Sequence, residues 1–208
     1  MDEVSNLKTK IRQEVLDKRR SLTTGDMKSR SNVICQQLIG LEQFQQSTTI
    51  LIYVAMPGEV QTGNLFQTGL EQGKLMAVPI VQKDGNPLLL SVLSDRHVTE
   101  LFFNKTNGNY KKNWRKTGFG ILEPSNETIE PIDVSKIDLI VVPGLGFDRT
   151  GMRLGFGAGH YDRLLSERRE TTIAISVAFD FQIFSEIPYC DHDQRVDMII
   201  TESEVIKP

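Results

Sequence analysis

Apolar positions set the first elements of the chain. Leu7, Ile11 and Val15 recur every four residues, with Lys8, Arg12 and Arg19 on a neighbouring face, which is the pattern of an amphipathic helix. The polar break Ser21-Leu22-Thr23-Thr24-Gly25 supplies N-caps for a second helix, whose apolar positions are Met27, Ile34, Leu38 and Leu41. The run Thr49-Ile50-Leu51-Ile52-Tyr53-Val54-Ala55 is then continuous and β-branched, as a strand buried on both faces should be. Comparable runs recur at Lys74 to Val81, Ile137 to Val142, Thr172 to Ala178 and Val196 to Thr201, and helical patterns intervene at Thr62 to Gln72 and His160 to Arg168. Strands alternating with helices predict an α/β sheet with right-handed crossovers, and Leu88 to Leu93 offers an edge strand. The stretch from Asn104 to Gly118 is polar and aperiodic and reads as a long loop.

Composition narrows this picture without redirecting it. A chain of 208 residues with 39% apolar content can bury a core without disulfides, so one domain over 1–208 is expected. Cys35 and Cys190 stand in no zinc or disulfide pattern, which suits a reducing compartment. The first twenty residues are charged throughout and carry no apolar leader core, and the longest apolar stretch, Ile50 to Met56, is too short to span a bilayer. A cytoplasmic, soluble protein is expected. A net charge of −3 gives no global attraction to nucleic acid.

The chemistry concentrates in Val142-Pro143-Gly144-Leu145-Gly146-Phe147-Asp148-Arg149-Thr150-Gly151-Met152-Arg153-Leu154-Gly155-Phe156-Gly157-Ala158-Gly159-His160-Tyr161-Asp162-Arg163. Six of the chain's 16 glycines fall here, between a buried strand and a helix. That is the carboxyl edge of an α/β sheet, where exposed N–H groups cradle anions and phosphate above all. A Walker A loop is excluded because no Lys-Ser or Lys-Thr follows the glycines. The dinucleotide fingerprint fails because Arg149 stands where its third glycine belongs. A glycine-rich bend with no ligand also fits the spacing.

The run from Pro143 to Asp162 resembles the signature of 5-formyltetrahydrofolate cyclo-ligases. Other family-like features stand in order: Lys8-x-x-x-Arg12, Glu59-Val60-x-Thr62, Gly120-Ile121-x-Glu123-Pro124, and Ile187-Pro188 leading to Asp193 and Val196-Asp197. The resemblance covers nearly the whole chain. It implies a three-layer αβα sandwich with a mainly parallel, Rossmann-like sheet. It also implies ATP- and Mg²⁺-dependent conversion of 5-formyltetrahydrofolate to 5,10-methenyltetrahydrofolate, ADP and phosphate. In that chemistry ATP phosphorylates the formyl oxygen and N10 displaces it, so the protein's part is positioning and charge stabilisation.

Site roles follow from the resemblance. Lys8 and Arg12 reach the ATP phosphates, together with Arg153, Leu154, Gly155, Phe156, Gly157, Ala158, Gly159, His160 and Tyr161. Phe156, Gly157, Ala158, Gly159 and His160 also meet the folate, with Val54, Met56 and Glu59, whose carboxylate suits the N–H donors of a pterin. Arg153 and Asp162 are catalytic, and Asp162 and Asp193 hold Mg²⁺. Phe156 and His160 replace tyrosines, and Ala158 a glycine, that are frequent in bacterial relatives. Read without the family, Lys8 and Arg12 also fit a solvated basic face, Arg153 a loop ion pair, Glu59 a surface turn, Asp162 helix charge compensation and Asp193 a turn cap. Tyr110 and Trp114 lie among Lys105, Lys111, Lys112, Arg115 and Lys116; a solvated loop, an RNA-binding patch and an attractor for the polyglutamate tail of a folate all fit these residues. A sugar-phosphate isomerase or deaminase on the same sheet is a further alternative. The expected partner is a small-molecule folate, including polyglutamylated forms, with no nucleic acid or membrane, acting on a monomer or weak dimer.

Overall fold

The structure is a computed structural model that describes residues 3–82, 86–98, 114–117 and 122–208. Three helices open the chain: α1 (Glu3–Ser21), α2 (Thr24–Gly40) and the short α3 (Glu42–Gln46). The Thr23 hydroxyl caps α2 by accepting from the Asp26 amide, as the polar break predicted. The expectation of two helices before the first strand missed α3, where buried Phe44 anchors a single turn.

Seven strands form the main sheet: β1 (Thr49–Ile52), β2 (Leu75–Ile80), β3 (Leu89–Leu93), β6 (Leu139–Val142), β9 (Ile173–Val177), β11 (Met198–Ile200) and β12 (Val205–Ile206), in the order β12-β11-β9-β6-β1-β2-β3. The five inner strands are parallel, and β3 and β12 close the edges antiparallel. Alternation of side chains sends Ile50, Ile52, Met76, Val78, Leu139, Val141 and Ile175 to one face, against Ile34 and Leu38 of α2 and Leu65 and Phe66 of α4 (Gly63–Glu71). Leu51, Ala77, Ile140, Val142, Ala174 and Ile199 face the other way, against Leu164 and Leu165 of α6 (His160–Ser166). Helices therefore cover both faces, and the continuous apolar runs follow from burial on both sides.

The remaining elements lie outside that sheet. Short α5 (Asp95–Val98) precedes a hairpin of β4 (Trp114–Lys116) and β5 (Leu122–Pro124). The predicted loop from 104 to 118 is thus corrected at its carboxyl end. Trp114 is buried in the core and meets His97 edge-on at 5.8 Å, because an indole gains more from that packing than from a solvated loop. Tyr110, Lys105, Lys111 and Lys112 lie outside the described residues. The glycine-rich segment is also more regular than a loop. It contains β7 (Gly146–Asp148) and β8 (Arg153–Leu154), which form a small sheet with β10 (Ile183–Phe184). Buried Asp148 fixes the turn between β7 and β8, accepting from the Thr150 and Met152 amides and the Thr150 hydroxyl at 2.7–3.2 Å, and from the Ile187 amide at 2.8 Å. No helix among the described residues is long and apolar enough to cross a membrane.

Candidate active site

A cleft of roughly 360 Å³ opens at the carboxyl ends of β1 and β6. The connection after β1 runs through α4 on one face of the sheet, and that after β6 runs through α6 on the other. The cleft therefore sits where neighbouring strands send their crossovers apart, the place where open α/β sheets bind ligands. Its walls come from α1, the segment after β1, the end of β2 with Leu88, Glu123 of β5, the glycine-rich segment and the turn around Asp193, parts that sequence alone could not join.

Arg153 is the centre of one wall. Its guanidinium is buried, donates to Asp162 Oδ1 at 2.9 Å and stacks over the Tyr161 ring at 5.8 Å, while Nε has no partner among the described residues. Gly155 makes room for it, since a Cβ there would lie 2.8 Å from Arg153 Nη1. Arg12 reaches the same loop from α1, donating from Nε to the Gly155 carbonyl at 3.0 Å. Gly157, at φ 106°, lies close under the Arg12 guanidinium, a path that a side chain would strain. Lys8, one turn before Arg12, lies 2.6 Å from Asp193 Oδ2, which also accepts from the Cys190 amide at 2.8 Å. Burial alone would raise the Asp193 pKa, but these bonds and the Lys8 charge hold it below the usual carboxylate value.

Asp162 and Asp193 belong to one neighbourhood, because Asp162 Oδ1 also accepts from the Gln194 amide at 3.1 Å. Asp162 Oδ2 and Asp193 Oδ1 make no hydrogen bond among the described residues, and both carboxylates line the cleft. No cluster of three or more His, Cys, Asp or Glu is placed to hold a metal among the described residues, so a metal here would need phosphate and water oxygens besides the two aspartates.

The opposite end of the cleft is apolar and carries Glu59. Val54 and Met56 line it, and Glu59 is only 3% exposed, which removes the reading of a surface turn. Its Oε2 accepts from the Met56 amide at 2.9 Å, and its Oε1 lies 3.5 Å from Arg19 Nη1. Burial pushes the Glu59 pKa up, and the Arg19 charge opposes the rise. The Tyr161 hydroxyl is buried without a partner among the described residues, and its pKa is raised by burial and by the nearby Glu59 charge. Phe156 stands half-exposed at the rim, and His160, its pKa lowered by burial and by Arg163, shares Nδ1 with Arg163 Nη2 at 3.1 Å.

Most of the expected site residues meet in this cleft, and Leu154 does not. Its side chain packs with Met152 and Ile187, and only its backbone serves the loop, by accepting from the Leu145 amide at 2.7 Å. Sequence reasoning missed Tyr53 and Glu123, both of which line the cleft, and Arg19 behind it. Arg19 had a legible signal, since residues 8, 12 and 19 fall on one stripe of a 3.6-residue helix beside buried Val15. Arg115, expected in the basic loop, is instead engaged by Glu123 at 2.9 Å and lies 3.4 Å from Asn126 Oδ1.

Comparison with known proteins bears on the family and the fold. Residues 4–202 match the model of the 5-formyltetrahydrofolate cyclo-ligase family. The 5-formyltetrahydrofolate cyclo-ligase of Mus musculus is 29% identical over 205 residues, covering 96% of this chain and 95% of its own, and that of Mycolicibacterium smegmatis is 29% identical with 93% of each chain covered. The NMR structure of Aquifex aeolicus 5,10-methenyltetrahydrofolate synthetase superposes with a TM-score of 0.77 at 31% identity, covering 97% of this chain and 92% of the other. The Mycoplasma pneumoniae synthetase shares the fold, with a TM-score of 0.70 at 22% identity. With a family match that spans almost the entire chain and relatives of the same length and fold, the chain belongs to the 5-formyltetrahydrofolate cyclo-ligase family of enzymes.

Proposed function

We propose that residues 1–208 act as one cyclo-ligase domain that converts 5-formyltetrahydrofolate, including its polyglutamylated forms, to 5,10-methenyltetrahydrofolate at the expense of ATP in the cytoplasm. The observation that carries the reading is the polarity of the cleft: Lys8, Arg12 and Arg153 with Asp162 and Asp193 at one end, and an apolar wall with the buried carboxylate of Glu59 at the other, Glu123 being a second buried carboxylate in the lining. The first end suits a metal-bound polyphosphate, and the second suits a flat ring with N–H donors on its edge.

ATP supplies the phosphoryl group that makes the formyl oxygen a leaving group, so that N10 can close the ring and release phosphate. The chain's own residues hold the two reactants in register. Lys8, Arg12 and Arg153 offer cationic donors to phosphate oxygens, and the unpartnered Nε of Arg153 is a buried donor that a phosphate oxygen would satisfy. Asp162 and Asp193 fit Mg²⁺, which takes one or two carboxylates together with phosphates and waters. Glu59 receives the pterin N–H groups between Val54 and Met56, and Tyr161 lines the cleft with its ring against Arg153 and its buried hydroxyl within electrostatic reach of Glu59. The contribution is orientation and charge stabilisation rather than covalent catalysis.

The test is isotopic. With ¹⁸O in the formyl group, the label should leave in inorganic phosphate. Label released as water instead would remove formyl phosphorylation from the reading.

A further inference from the structure

Arg19 is not among the residues that line the cleft, yet its guanidinium reaches two of the segments that do, at Glu59 and at Gly144. Its side chain is 7% exposed and runs beneath Gly58, where φ is 83° and a Cβ would stand 3.0 Å from Arg19 Cβ. Nη2 donates to the Gly144 carbonyl at 2.7 Å, Nη1 lies 3.5 Å from Glu59 Oε1, and Nε has no partner among the described residues. The Gly144 carbonyl is fixed from another side by Gln182 Nε2 at 3.0 Å, so the guanidinium is anchored to a rigid point. We propose that Arg19 is a positioning residue for folate binding, which acts through Glu59 by holding that carboxylate charged and aimed into the cleft.

The proposal rests on the reading of Glu59 as the pterin-binding carboxylate, and the electrostatics of its surroundings lead to Arg19. A carboxyl this deeply buried favours its neutral form, which accepts N–H donors poorly. Among the described residues, the other titratable groups coupled to Glu59 are the phenols of Tyr53 and Tyr161, both kept neutral because burial raises their pKa values. Arg153 lies beyond the Tyr161 ring and is engaged by Asp162. Arg19 is therefore the cation that opposes burial at Glu59. The geometry leaves capacity for a ligand: Oε2 is held by the Met56 amide, while Oε1 has only the long Arg19 contact. α1 thus serves both ends of the cleft, with Lys8 and Arg12 toward phosphate and Arg19 behind the folate end.

The experiment is equilibrium binding of 5-formyltetrahydrofolate without ATP, followed from acid to neutral pH, with thermal melts to confirm folding. Wild-type affinity should fall as pH drops and Glu59 takes up its proton. Arg19→Gln should bind about tenfold more weakly at neutral pH, as expected for a lost charge-assisted contact, and its loss of affinity should begin at higher pH. Arg19→Lys keeps the charge and should retain the wild-type pH dependence. In a Glu59→Gln background, Arg19→Gln should weaken binding no further. An unchanged pH profile in folded Arg19→Gln, an equal shift in Arg19→Lys, or a full additional loss in the Glu59→Gln background would each overturn the proposal. Failure of the wild-type protein to bind the folate would instead contradict the proposed function.

Discussion

The Lys8 ammonium lies 2.6 Å from Asp193 Oδ2, a contact that joins the first helix to a turn 185 residues later. The two charges neutralise each other in the free protein, and an arriving metal-bound polyphosphate would reassign both. Lys8→Ala should raise the KM for ATP about tenfold with little change in the KM for the folate, because a charge-assisted phosphate contact is lost. Steady-state kinetics with each substrate varied checks this, and equal changes in both constants would place Lys8 in the framework rather than at the phosphates.

Asp162 is held by Arg153 and by the Gln194 amide through one oxygen, and the second oxygen makes no hydrogen bond among the described residues. Asp162→Asn should leave the fold intact and lower kcat about 10- to 100-fold, with a higher Mg²⁺ requirement. A Mg²⁺ titration of the rate decides the matter; unchanged metal dependence and rate would remove the ligand role.

Glu59→Gln replaces one acceptor oxygen by an NH₂ donor, which in the proposed reading would face the pterin N–H groups. The KM for the folate should rise about tenfold and that for ATP much less. An equal effect on both substrates would move Glu59 away from the folate end.

Tyr161→Phe removes a buried hydroxyl that has no partner in the free protein. The variant should be more stable by about 1 kcal/mol in denaturant unfolding and yet turn over more slowly, since substrate is what would satisfy that hydroxyl. A less stable variant with normal turnover would mark the hydroxyl as structural.

Asp138, at the far end of the sheet, separates stability from activity. It accepts from the Thr48 and Thr49 amides and the Thr48 hydroxyl through Oδ2 and from Arg169 through Oδ1, at 2.7–3.0 Å. Burial alone would raise its pKa, but these bonds hold it at about 2. Because the folded value lies below the unfolded one, its stabilisation is complete above the ordinary carboxylate pKa of about 4 and is lost as pH falls toward 2. Asp138→Ala should cost about 2 kcal/mol at neutral pH, lose less stability on acidification than the wild type, and keep its kinetic constants. Urea unfolding at several pH values measures this.

The sheet was legible because its strands are buried on both faces. Ile50, Leu51 and Ile52 point alternately to two apolar layers, so the sequence shows an unbroken run that no surface strand would carry. Trp114 was misread because its neighbours are polar and the β4–β5 pairing that buries it depends on residues 122–124, which local pattern does not reveal. In the site, the glycine-rich segment was visible as a concentration of one residue type, but which groups meet across it was not. Lys8 to Asp193, Arg12 to Gly155 and Arg19 to Glu59 are tertiary contacts over long separations. The family resemblance singled out Glu59 for the folate, but without it the residue also fitted an ordinary turn glutamate, because burial of a charge is a property of the fold, not of the four residues around it.

The most direct measurement is the absorbance of the methenyl product as 5-formyltetrahydrofolate is mixed with the purified protein. Product should accumulate with ATP and Mg²⁺ present and should not form when either is withheld. Accumulation at the same rate without ATP, or none with both present, would contradict the account.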